Sequence, residues 1–289
     1  SCCRLRNEIS DHTFSYSLGA GGVATGSINV ITLNMNRLVQ QNRNLSEEVR
    51  KIHRYQVAFR KLIEEYKAGG LLPVYDAGFI SLDKQFLTIG INGMVEAAEY
   101  LGIAPTNNEQ YKDFVRHHLK IIYEENRKAR EVYGYMFNTE FVPAENLGVK
   151  NALWDKKDGL FSPRECYNSY FYAVEDTQVN ALDKIILHGK EIIQYLDGGS
   201  ALHLNLEETP NKEGFLKLLN ATALAGCNYF CFNIRITICN ECNHIDKRTL
   251  FECPECHSEN VDHATRVIGY LKRVSCFSTA RQKEHALRH

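Results

Sequence analysis

Cys239-Asn-Glu-Cys242, Cys253-Pro-Glu-Cys256 and Arg266-Val-Ile-Gly-Tyr-Leu271 stand close together near the end of the chain. Two residues between cysteines is the spacing of a tight turn that points both sulfurs the same way, so the two pairs can converge on one tetrahedral ion. Cys239, Cys242, Cys253 and Cys256 therefore read as a structural zinc site. Four protein ligands leave no open position for a reactive water, so a catalytic zinc is not expected. An iron–sulfur cluster accepts the same four thiolates and stays open as an alternative. Two disulfides fit poorly, because the other cysteines are scattered and no export segment accompanies them. Gly269, in its strand-like surroundings, reads by itself as a bulge or a close backbone approach.

Working outward, the chain has 289 residues, 44% of them hydrophobic and 24% charged, enough to bury a sizeable core in one large domain or two ordinary ones. A net charge of −1 gives no bulk electrostatic reason to bind nucleic acid or an anionic membrane. The run around the cysteines is also mixed in sign, with Glu241, Asp246, Glu252 and Glu255 against Lys247 and Arg248, where a nucleic-acid-binding knuckle calls for a basic stripe. No apolar run is long enough to span a bilayer, so a cytoplasmic protein in a reducing compartment is expected. The chain opens on Ser1-Cys2-Cys3 without a methionine, which suggests the later part of something longer.

Helices and short apolar strands alternate, which favours an α/β layout with parallel strands. Ser27-Ile-Asn-Val-Ile-Thr-Leu33 is β-branched enough for a strand. The glycines of residues 19–26 match neither a P-loop nor a dinucleotide-binding spacing and read as a hinge or loop apex. Helical periodicity predicts one long helix from Arg37 to Ala68, stopped by Gly69-Gly70, a second over Phe86–Gly102 and a third over Asn108–Val132. Strands are expected over Tyr133–Val142 and Tyr170–Val174. A helix is expected over Asn180–Leu196, a strand over Ala201–Leu206, a helix over Lys212–Gly226, and a strand over Tyr229–Ile238 leading into the cysteines.

Taken singly, the remaining polar residues have plain structural readings. His203, on an alternating apolar strand, reads as a satisfied core histidine. Glu145, after Pro143-Ala144, reads as a carboxylate facing a helix N-terminus. The vicinal Cys2-Cys3 pair reads as two solvated thiols or a strained disulfide.

Together the motifs have a closer parallel. Ser1-Cys-Cys-Arg-Leu5, Thr25-Gly-Ser-Ile-Asn-Val-Ile-Thr-Leu-Asn34, Thr88-Ile-Gly-Ile-Asn-Gly93, Leu196-Asp-Gly-Gly199, the four cysteines and Arg266-Val-Ile-Gly-Tyr-Leu271 resemble the anaerobic, glycyl-radical class of ribonucleoside-triphosphate reductases, along the whole chain. The resemblance implies the second half of a ten-stranded α/β barrel, with a zinc knuckle and a glycyl-radical loop at its C-terminus. Its implied divisions are a finger loop and following strand over 1–36, the half-barrel over 37–232, the knuckle over 233–262, and the radical loop and tail over 263–289.

The same resemblance implies a radical on Gly269, where no Cβ twists the centre out of plane, installed by a radical S-adenosylmethionine activase. Cys3, directly before Arg4, is the implied thiyl residue, with Cys2 the runner-up, and it would take the 3′-hydrogen of a ribonucleoside triphosphate. Ser27 and Asn34 are implied at the substrate, and Glu145 is a candidate for proton transfer. Members that use formate often carry Gly-Cys-Arg at the finger tip and an asparagine where this chain has Ser27, so the reductant is either formate or a dithiol protein. Further implied partners are the N-terminal half of the enzyme and a second copy in a homodimer. Two other classes carry part of the pattern. A formate acetyltransferase or dehydratase of the glycyl-radical type would lack the four-cysteine knuckle, and a non-catalytic zinc-knuckle module would have no use for Cys2-Cys3 or Arg266–Leu271.

Overall fold

A computed structural model describes residues 24–141, 146–206, 209–266 and 271–287. Strand β1 (Ala24–Asn34) is followed by helices α1 (Met35–Gln40), α2 (Leu45–Ala68) and α3 (Pro73–Asp76), then by β2 (Ile80–Asn92). Helices α4 (Met94–Tyr100) and α5 (Glu109–Tyr133) lead to β3 (Met136–Phe141). The three strands pair in parallel, in the order β1-β2-β3. After α6 (Leu147–Lys157), α7 (Ala181–Leu187) and α8 (Lys190–Ile193), a parallel bridge between Glu140 and Gly199 carries the sheet on towards β4 (Leu202–Leu206). Helix α9 (Lys212–Ala225) then returns the chain to β5 (Phe230–Ile234), which is parallel to β4.

At Arg235 the architecture changes. Strands β6 (Ile236–Cys239), β7 (Ile245–Asp246), β8 (Val261–Arg266) and β9 (Leu271–Arg273) form an antiparallel sheet in the order β7-β6-β8-β9. A last helix, α10 (Thr279–Ala286), returns to the first region, where Lys283 pairs with Glu165 at 2.8 Å.

The parallel sheet has two unlike faces. Leu33, Ile89, Ile91 and Phe141 point to the helices and join Leu38, Val49, Met94, Val115 and Leu119 in the main core. Leu87 and Phe137 form a smaller cluster with Val57 and Ala129. Each such side chain contributes roughly 1.5–3 kcal/mol by leaving water. Because side chains alternate along a strand, Thr88, Gly90 and Asn92 of β2 and Asn138 and Glu140 of β3 occupy the opposite, polar face.

Several elements differ from the periodicity reading, each for a local reason. The helix expected over Phe86–Gly102 is the second half of β2 followed by α4. Phe86 to Asn92 is buried throughout, as a central parallel strand covered on both faces must be, and such a run has no period to set it apart from a buried helix. Gly93, at φ +78°, makes the turn between strand and helix, and a Cβ there would stand 3.2 Å from Asn34 Oδ1. The helix expected over Arg37–Ala68 is broken at Gln41–Asn44. Asn42 lies at φ 48°, and Asn44 restarts the helix by accepting from the Glu47 amide at 3.2 Å.

Tyr170–Val174 is buried but irregular rather than a strand. Asn168 Oδ1 accepts from the Val174 amide at 3.1 Å, closing a loop, while the Tyr170 and Tyr172 rings stack at 5.3 Å. Asn180–Leu196 divides into α7 and α8 at His188-Gly189, and Tyr229–Ile238 divides at Arg235 between two sheets. The strand over Ala201–Leu206, the helices over Asn108–Val132 and Lys212–Gly226 and the strand within Tyr133–Val142 are present, with ends shifted by at most three residues. His203 is a core histidine, 2% exposed and 3.3 Å from the Tyr170 hydroxyl.

Candidate active face and thiolate cluster

The polar face of the parallel sheet carries a continuous hydrogen-bonded row. Ser27 Oγ lies 2.5 Å from Thr88 Oγ1, and Thr88 Oγ1 donates to Asn138 Oδ1 at 2.6 Å. Thr88 has one proton and gives it to the amide oxygen, so the Ser27 hydroxyl must be the donor in the first of these bonds. Ser27 consequently presents only lone pairs outward and is an acceptor on this face. Asn138 is fully buried, and its Nδ2 has no partner among the described residues. Glu140 follows on the same face, 2% exposed and in register with Gly90.

Asn34 ends β1 and is committed locally. Its Oδ1 accepts from the Arg37 amide at 3.2 Å, capping α1, and its Nδ2 donates to both oxygens of Asp155 at 3.0 Å. Asp155, fully buried, also accepts from Arg37 Nε and from the Tyr167 hydroxyl, each at 2.7 Å. This network fixes the carboxyl end of β1 against α6. Ser27 and Asn34 share one strand, but they stand near its two ends and take no hydrogen bond from each other.

The Leu196-Asp-Gly-Gly199 segment has a structural task. Asp197 Oδ1 accepts from the Thr139 amide at 2.9 Å, and its other oxygen takes a hydrogen bond from Arg130. Burial pushes the Asp197 carboxyl up despite Arg130. Gly198 donates to Thr139 O at 2.8 Å, and a Cβ there would stand 2.7 Å from that same oxygen. Only glycine lets this segment join the sheet.

In the antiparallel sheet, β6 delivers Cys239 and the turn after it delivers Cys242, while Cys253 and Cys256 lie on the loop between β7 and β8. The four Sγ atoms all lie within 4.8 Å of one another, with Cys239 3.5 Å from Cys256 and Cys242 3.6 Å from Cys253. Thiolates at about 2.3 Å from a tetrahedral zinc stand about 3.8 Å apart, so the cluster fits such an ion. The Cys242 amide donates to Cys239 Sγ and lowers that thiol, while the neighbouring sulfurs raise Cys242 and Cys256, so the four share their protons as one cluster.

Beyond the cluster, Arg266 pairs with Leu271 between β8 and β9, so residues 267–270 connect two paired strands. Gly269 lies in that connection and outside the described residues, as do Cys2, Cys3 and Glu145. The residues that motif reading did not single out are Asn138, Asp155 and Asn233, and Thr88 stood in a quoted motif without a role of its own. Asn138 and Asn233 are polar side chains set within short, largely apolar strands, whereas Asp155 lies on α6 and has no such signal.

A family model described as anaerobic ribonucleoside-triphosphate reductase matches residues 1–289. Comparison with curated protein sequences gave no match. Among solved structures, one described as an anaerobic ribonucleotide reductase is 32% identical at a TM-score of 0.84, covering 92% of this chain and 45% of its own. The anaerobic ribonucleotide reductase of Thermotoga maritima in complex with dATP and CTP is 31% identical at 0.81, covering 94% and 46%. The same enzyme with glycerol in its active site is 31% identical at 0.82, covering 93% and 45%. The chain thus spans less than half the length of the structures it resembles. A lone zinc-knuckle module would match only around residues 239–256, and the match runs far beyond them.

Proposed function

The chain belongs to the anaerobic ribonucleoside-triphosphate reductase family, and from this we propose that it is the radical-carrying C-terminal portion of an enzyme that reduces ribonucleoside triphosphates to deoxyribonucleoside triphosphates. The observation that carries the reading is the run of parallel strands with one polar face, joined directly to a four-cysteine sheet whose β8–β9 connection contains Gly269. No helix among the described residues is long and apolar enough to cross a membrane, in keeping with the proposed cytoplasmic enzyme.

In this reading Gly269 stores the radical, placed there by a radical S-adenosylmethionine activase that removes one hydrogen atom from the glycine. Cys3, with Cys2 as the alternative, gives its thiol hydrogen to Gly269 and becomes a thiyl. The thiyl removes the 3′-hydrogen of the ribose, and the 2′-hydroxyl leaves as water with a proton for which Glu145 is the proposed carrier. Two electrons and a proton, from formate leaving as carbon dioxide or from a dithiol protein leaving as a disulfide, reduce the sugar, and the cysteine then returns its hydrogen atom to C3′ and becomes a thiyl again. The acceptor at Ser27 suits a ribose hydroxyl. Asn34 contributes by fixing the end of the strand on which Ser27 sits.

Four thiolates at these distances support zinc in a structural role, tying β6 to the loop before β8. The strands β1 to β5 supply one half of the proposed ten-stranded barrel. An N-terminal half would cover the outer edge of β1, and a homodimer is the proposed complete assembly. The test is turnover of a ribonucleoside triphosphate by this chain joined to its N-terminal half and activated anaerobically, with formate or a reduced dithiol protein supplied in parallel. Deoxyribonucleoside triphosphate formed with either reductant, and lost in Cys3→Ser, is expected. A zinc-loaded, activated complex that forms none with either would overturn the reading.

A further inference from the structure

Asn233 sits near the end of β5 on the polar face and is 5% exposed. Its Oδ1 accepts from the Arg266 amide at 3.2 Å, while the two protons of its Nδ2 are shared among three acceptors in range, Arg266 O at 2.9 Å, Thr265 Oγ1 at 2.7 Å and Asn205 Oδ1 at 2.9 Å. The side-chain amide therefore meets both backbone polar groups of one residue, as a neighbouring strand would.

The ladder explains why a substitute is needed there. Pairing of β6 with β8 runs from Cys239–Val261 to Ile236–Ala264 and stops. Beyond Ala264, β8 keeps β9 on one side, through Thr265–Lys272 and Arg266–Leu271, and Asn233 takes hold of the other. Asn205, in register with Asn233 on β4, orients the amide from behind. Aspartate could not donate, glutamine would displace the amide by a methylene, and an apolar residue would remove both hydrogen bonds to the Arg266 backbone.

Resting on the functional reading above, we infer that Asn233 is a positioning residue: it fixes the base of the 267–270 connection in register on the barrel strands and so sets the distance over which Gly269 exchanges a hydrogen atom with the cysteine. A misplacement of about 1 Å at a reacting centre costs on the order of a hundredfold in rate, so a lever at the base of a four-residue connection has large consequences.

The experiment compares wild type, Asn233→Ala and Asn233→Asp in the activated complex with the N-terminal half. It reads zinc content, glycyl-radical content, kcat per radical, KM and hydrogen exchange at the Arg266 amide. Expected are unchanged zinc and KM, a fall of tenfold or more in kcat per radical for Asn233→Ala, and a smaller fall for Asn233→Asp, which keeps the acceptor for the Arg266 amide. Equal kcat per radical in all three overturns the inference, as does a loss explained entirely by a smaller folded fraction. If wild type itself carries no radical, the functional reading fails separately. Exchange then decides the positioning role: a faster Arg266 amide in Asn233→Ala supports it, and an unchanged one overturns it.

Discussion

The parallel sheet and the antiparallel sheet are held together by different physics. From β1 to β5 the chain buries aliphatic and aromatic side chains between strands and helices, and the two apolar clusters draw all their members from residues before Arg235. From β6 to β9 the fully buried side chains among the described residues are few and small or polar: Thr237, Cys239, Cys253, Ala264 and Thr265. The first region can hold its shape by excluding water. The second is too thin for that, and its stability must come from the thiolate cluster and from side chains such as Asn233 that tie it to its neighbour.

The most severe test of this contrast is removal of one thiolate. Cys253→Ser should abolish zinc binding and withdraw on the order of 10 kcal/mol of metal-coupled folding energy from residues 236–273. Hydrogen exchange should show that region opening while β2 and α5 stay protected; equal loss in both would mean that the two regions form one cooperative unit. The reciprocal test is Phe137→Ala, which empties a site between Val57, Leu87 and Ala129 and beside the His53 ring at 4.8 Å. A loss of about 3–5 kcal/mol is expected, read as a lower denaturation midpoint with zinc content unchanged.

A pH test sharpens the same comparison. Burial holds His188 neutral and pushes it down to about 4, whereas an unfolded histidine titrates near 6.5. Between those values the unfolded chain binds a proton that the folded chain does not. Stability is therefore complete above about pH 6.5 and falls as pH drops towards 4, by about 3 kcal/mol in all. Denaturation of the parallel-sheet region followed from pH 7 to 4 should show this slope, and His188→Gln should reduce it. The smallest expected effect is that of Gly198→Ala, where the new Cβ meets the Thr139 carbonyl. Overpacking of that kind costs about 1–3 kcal/mol, and calorimetry should find it in the transition of the parallel-sheet region alone.

The two regions also differ in how readily they could be read from the sequence. The cysteine spacing announced its geometry, because paired Cys-x-x-Cys turns have few other uses, and the four sulfurs do converge. The glycine and asparagine boundaries of α5 and α9 were equally legible, since Asn108 and Asn211 cap and Gly134 and Gly226 close. The central strand β2 was not, because burial on both faces erases the alternation that marks a strand. Nor was Tyr170–Val174, whose aromatic and β-branched residues are buried by packing while its hydrogen bonds go to Asn168 and not to a ladder. The polar row of Ser27, Thr88 and Asn138 joins residues far apart in the chain and becomes visible only when the register of three strands is known.

The central claim is that a chain of this family, held in two unlike ways, carries a radical on Gly269. Anaerobic electron paramagnetic resonance tests it most directly, on the chain joined to its N-terminal half and treated with a radical S-adenosylmethionine activase, for wild type and Gly269→Ala. A doublet near the free-electron value in wild type alone, followed by cleavage at Gly269 on exposure to air, is the predicted result. A folded, zinc-loaded complex with no such signal would contradict the account.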